Sequence, residues 1–141
     1  MKITGITTLD NAPHDVNAWL KDVCAALDWD EKGRAYLLLR MVLHAVRDWL
    51  TVDEAAQLAA QLPILLRGIY YEGWDPSSTP VHPRAKADFL ARVDHMFNKE
   101  PLDDTEAAIS AVLGVLQSHV SSGEIEQVKH AMRANIRELW P

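Results

Sequence analysis

Shifting residues 17–71 by seventy positions lays them on residues 87–141 without a gap. Seven pairs are then identical: Leu20/Leu90, Val23/Val93, Val42/Val112, Leu43/Leu113, Glu54/Glu124, Gln57/Gln127 and Arg67/Arg137. Apolar character also recurs in phase, as in Trp19/Phe89, Leu39/Ile109, Val46/Leu116, Leu50/Val120, Leu58/Val128, Leu62/Met132, Leu66/Ile136 and Tyr70/Trp140. Two segments that repeat their apolar positions over such a length turn their inward faces at the same helical phases, as copies of one supersecondary unit do. The pattern predicts an all-α fold: a duplicated helical bundle of about eight helices, four in each of two copies related by internal pseudo-symmetry. The copies span residues 15–71 and 85–141. A connector rich in proline, glycine and serine, residues 72–84, joins them within one compact domain, residues 1–141.

Each copy opens on an amphipathic stretch. In "DVNAWLKDVCAAL", Val16, Trp19, Leu20, Val23 and Leu27 form one helical stripe. "AYLLLRMVLHAVRDWL" is longer and more apolar, a central packing helix. Between them "DWDEKG" is a turn in which Gly33 is the residue free to take a left-handed dihedral. The second copy answers with "ADFLARVDHMF" and "TEAAISAVLGVLQSHV".

A third helix follows in both. Thr51 with Glu54, and Ser121 with Glu124, have the spacing of a capping box, in which the hydroxyl accepts an amide three residues on and the carboxylate returns to the cap amide. Asp103 with Glu106 repeats that spacing before the helix of "TEAAIS". A structural role is favoured over a catalytic one for all six residues. Pro63 then predicts a break after Leu62, while its counterpart Arg133 imposes none, so the second copy is expected to have either a smoother helix or a shorter bend between Glu124 and Trp140. In the connector "YEGWDPSSTPVHP", Trp74 is expected to cover the seam between copies, and Pro83 to open the helix leading to Phe89.

The stretch "QLPILLRGIYYEGWDP", with "FLARV" and the closing "SSGEIEQVKHAMRANIRELWP", resembles a bacterial family catalogued as domain of unknown function number 2267, from about Asp15 to Pro141. The resemblance implies a compact helical bacterial protein built on this duplicated unit. It brings no catalytic residues.

Twenty acidic side chains stand against fourteen basic ones, net −6, and neither side of Asp75 is a basic module. Attraction to nucleic acid or an anionic membrane is therefore not expected. The single Cys24 excludes an intrachain disulfide and a cysteine-rich metal site, which suits a reducing cytoplasm. No apolar run is long enough for a membrane span. The six histidines form no metal-binding spacing, and the glycines form neither a phosphate-cradling loop nor a dinucleotide fingerprint. No metal, cofactor or catalytic residue is assigned.

What remains is a group of polar and aromatic residues near the copy junction: Arg67, Glu72, Trp74, Asp75, His82 and Arg137. They are the candidate positions for a ligand or partner, with local ion pairing as the competing structural reading of the two arginines. The sequence thus reads as a noncatalytic helical interaction or regulatory module, acting through an unknown protein partner or self-association. The alternative is a small-molecule-binding protein or enzyme whose site assembles at the junction of the copies.

Overall fold

The computed structural model describes residues 2–82 and 84–141, so the expectation for Pro83 falls outside the described residues. The chain is all-α, with eight α-helices and two 3₁₀ turns among those residues. The first half holds α1 (Thr7–Leu27), α2 (Lys32–Trp49), α3 (Val52–Ala59) and α4 (Ile64–Tyr71). A 3₁₀ turn at Pro76–Ser78 lies in the connector. The second half holds α5 (Lys86–Asp94) with a 3₁₀ turn at His95–Phe97, then α6 (Thr105–His119), α7 (Ser122–Ala131) and α8 (Ala134–Arg137).

The long apolar α2 is the hub: it packs on α1, α4, α5 and α6, and α1 lies also against α6 and α4. One buried apolar cluster runs through both halves. Positions seventy apart are buried together, among them Trp19/Phe89, Val23/Val93, Val42/Val112, Leu43/Leu113, Leu58/Val128 and Leu66/Ile136. Burying side chains of this size is the main force holding such a bundle together, at roughly 1.5–3 kcal/mol for each large one.

One local expectation is corrected and another is decided. The turn after α1 is made by Asp28, not Gly33: Asp28 takes the left-handed conformation at φ 55°, and Trp29 donates its amide to Cys24 at 2.9 Å. Aspartate tolerates that region better than most residues, and Gly33 sits inside α2. Of the smoother helix and the bend expected in the second half, the structure has the bend, made without a proline. Arg133 has φ −62° and ψ 152°, close to the −56° and 150° of Pro63. Proline does not dictate this corner; what holds it is an arginine on the following helix.

The start of α1 extends upstream of the part that matches α5. It is ordered by Asp10, whose Oδ1 accepts the amides of Ile3 and Thr4 at 3.2 and 2.9 Å and whose Oδ2 accepts that of Gly5 at 3.1 Å. These hydrogen bonds, the Thr4 amide first among them, hold the Asp10 carboxyl below its ordinary value.

Candidate functional site

Arg67 and Arg137 do the same work in the two halves. From α4, Arg67 donates Nε to the Ala59 carbonyl at 2.9 Å and an Nη to Leu62 at 3.0 Å. Arg137, on α8, donates Nε to Lys129 at 3.0 Å and an Nη to Met132 at 3.0 Å. Residues 59 and 129, and 62 and 132, are themselves seventy apart. The last carbonyls of a helix lack partners within it. Each guanidinium therefore closes the end of the preceding helix, α3 or α7, and fixes the corner that follows. Neither makes the carboxylate pair that the spacing suggested.

The connector residues have local partners as well. Glu72 accepts Arg40 Nε of α2 at 2.8 Å. Asp75 caps the 3₁₀ turn, taking the Ser77 amide at 3.1 Å and the hydroxyls of Ser77 and Ser78 at 2.6 and 2.7 Å. Those hydroxyls, before the amide, hold its carboxyl below the ordinary value. Trp74 is half-buried against the core, its ring 5.2 Å from that of Tyr71. His82 is exposed. None of the six candidate residues lines the clefts described below.

The capping residues divide. In α3 the box is complete: Thr51 Oγ1 accepts the Glu54 amide at 3.3 Å and Glu54 Oε1 accepts the Thr51 amide at 2.9 Å. In α7 Ser121 Oγ accepts the Glu124 amide at 3.3 Å, but the Ser121 amide donates to Gln61 Oε1 at 3.4 Å. The start of α6 differs from expectation. Its cap is Asp104, which accepts the Ala107 amide at 3.1 Å, one residue after the predicted Asp103, and Glu106 pairs with Lys86. Asp103 instead lines a cleft of about 420 Å3 beside Trp29. Arg34 occupies one wall of that cleft, 5.0 Å from the Trp29 ring and 5.1 Å from Phe97, and donates to the carbonyls of Glu100 and Pro101.

The most deeply buried charges went unnoticed in the sequence. Arg47 and Asp48 of α2 are 3% and 4% exposed. Arg47 forks onto Asp48 at 2.8 and 3.2 Å, and its other nitrogen donates to the carbonyls of Tyr70 at 2.8 Å and Glu72 at 2.9 Å. Arg92 of α5 completes the Asp48 carboxylate. The Asp48 carbonyl accepts the Val81 amide at 2.9 Å, and Arg84 donates to the Trp49 carbonyl at 3.0 Å. One patch of α2 thereby gathers the end of α4, the connector and α5. A signal was present: adjacent charges inside an otherwise apolar helix must find partners or stay in water. Nearby, buried His44 sets Nε2 2.7 Å from the Ile69 carbonyl. Burial, more than that hydrogen bond, sets its proton affinity, and pushes its pKa down.

Helices α3 and α7 meet directly. Glu54, Gln57, Glu126, Gln127 and His130 line a shallow cleft between them, which brings the repeated glutamines to one place. Among the described residues, no group of three or more histidine, cysteine or acidic side chains is placed to hold a metal ion. Cys24 is a half-buried free thiol. No helix among the described residues is long and apolar enough to cross a membrane.

No curated protein matches the chain. Residues 16–139 match the family described as Uncharacterized conserved protein (DUF2267), a span that includes all six candidate positions. The chain belongs to the DUF2267 family.

Proposed function

We propose that this chain is a noncatalytic interaction module formed by internal duplication of a four-helix unit, working in the cytoplasm through association with a protein. The duplication reading draws support from the gapless offset of seventy, from the matched buried positions, and above all from Arg67 and Arg137 making equivalent contacts. A half-buried free thiol suits a reducing compartment.

One observation carries the functional part. Arg67, Arg137, Glu72 and Asp75 are engaged in fastening helix ends, the connector and its turn, whereas large apolar side chains stay outside the core. Ile64 and Leu65, at the start of α4, are 62% and 42% exposed. Gly68, one turn on, faces open space. Exposed aliphatic side chains beside a residue without a side chain suit close approach of another protein surface.

Sedimentation across the micromolar range, together with a native pull-down, tests the reading. Saturable association, with itself or with another protein, is expected, and Ile64→Asp with Leu65→Asp should abolish it while the fold persists. A strictly monomeric protein with no saturable partner would count against it.

A further inference from the structure

Two clefts lie where α1 turns into α2 and α5 turns into α6, and Arg34 joins those turns by donating to the carbonyls of Glu100 and Pro101. The first, beside Trp29, holds about 420 Å3, and the second, between the start of α2 and the turn after α5, about 600 Å3. Their linings answer each other at the offset of seventy: Leu27, Trp29 and Ala107 line the first, and Phe97, Lys99 and Leu37 line the second. Arg34 and Glu100 belong to both, so the clefts adjoin. Apolar surface is open in each. Trp29 and Leu37 are half-buried, and Met96 of the second cleft is 44% exposed.

The charges around that surface are mostly acidic: Glu31, Glu100, Asp103 and Asp104 stand against Arg34 and Lys99. Arg34 is already spent, held by two carbonyls and set against the rings of Trp29 and Phe97. Asp104 caps α6, whereas Glu31 makes no cap hydrogen bond and Asp103 stands on the cleft rim. Acids suit the start of a helix, which accounts for their sign. It does not account for the apolar side chains left open between them. We propose that the adjoining clefts dock a basic amphipathic segment of another protein, its lysine or arginine side chains meeting Glu31, Glu100 and Asp103 and its aliphatic ones lying over Trp29, Leu37 and Met96. Such a segment satisfies rim and floor at once, and the same rim turns away acidic segments and nucleic acid. This surface is additional to the face at the start of α4, since Ile64 and Leu65 line neither cleft.

Nitrogen-15 NMR of the full chain, titrated with a short amphipathic peptide of lysine and leucine and with the same peptide carrying glutamate for lysine, tests this. The lysine peptide should saturate with shifts gathered at Trp29, Gly33 and Lys99, and the glutamate peptide should not bind. Glu31→Gln with Asp103→Asn should weaken the lysine peptide about three- to tenfold, as two exposed charge contacts would, and Met96→Ser should weaken it by removing apolar contact. The proposal is overturned if the glutamate peptide binds as tightly, if no saturation is reached at millimolar peptide, if the shifts gather elsewhere, or if the charge variant leaves the affinity unchanged. Should that variant fail to fold, an unchanged affinity in Met96→Ser overturns it instead. Shifts at Trp29 that grow with the concentration of the chain alone would put a second copy in the clefts and overturn the choice of occupant. Ile64→Asp with Leu65→Asp should bind the peptide as wild type does, so the clefts and the α4 face stand or fall separately.

Discussion

Replacing Asp48 with alanine should be among the most damaging single changes in this chain. The carboxylate is 4% exposed and holds Arg47 through two hydrogen bonds, and Arg92 through a third. Removing one member of a buried ion pair leaves the other charge short of partners, at a cost of roughly 3–5 kcal/mol. Two features place Asp48→Ala at the lower end. Arg47 keeps its carbonyl acceptors on Tyr70 and Glu72, and the Arg92 side chain, 41% exposed, is free to turn to water. About 3 kcal/mol is a large share of the 5–15 kcal/mol that roughly bounds a domain's stability. Urea unfolding followed by tryptophan fluorescence reads it: with a slope near 2 kcal/mol/M, the midpoint should fall by about 1.5 M. Arg92→Ala, which removes the exposed partner, should cost under about 1 kcal/mol. A shift below about 0.3 M for Asp48→Ala would refute the claim that this carboxylate anchors Arg47 and holds α2 to α5.

Asp104→Ala should cost about 1 kcal/mol by removing the α6 cap, and Asp103→Ala close to nothing, in the same unfolding assay. Gly68→Ala should stabilise the chain by roughly 0.5–1 kcal/mol, because Gly68 lies within α4 and a methyl group there meets nothing within 4 Å. A loss of stability would mean that α4 has a neighbour the fold does not show. His44, with its folded pKa below the ordinary 6.5, contributes stability that is complete above that value and is lost as pH falls. His44→Gln keeps a donor for the Ile69 carbonyl, so the drop in melting temperature between pH 7 and pH 5 should shrink; an unchanged drop would exclude His44 as its source.

The helices were legible because their signals are local. Apolar spacing set the inward faces, and the cap at Thr51 needs only residues three apart. What escaped was decided by side chains arriving from elsewhere. Ser121 has the same local pattern as Thr51, yet its amide is taken by Gln61, sixty positions earlier. Asp103 and Asp104 are adjacent acids, and the three-residue spacing to Glu106 pointed to Asp103 where Asp104 is the cap. The corner at Arg133 carries no local breaker that would choose between a smooth helix and a bend, and the residue that fixes it, Arg137, is four positions downstream. Among the candidate positions, the recurrence of Arg67 and Arg137 marked a shared role, but its nature depended on carbonyl groups that carry no sequence signature. Arg47 and Asp48 were hidden in the helix that looked most purely apolar.

The equivalence of the two arginines is the claim on which the account of both halves rests, and parallel substitution tests it most directly. Lysine cannot reach two carbonyls with a planar fork. Arg67→Lys and Arg137→Lys should therefore each lower stability by about 1–2 kcal/mol, and the double variant by about their sum, as for separate sites. If one substitution destabilised the protein while the other left the unfolding midpoint where it was, the two halves would not be held by the same device.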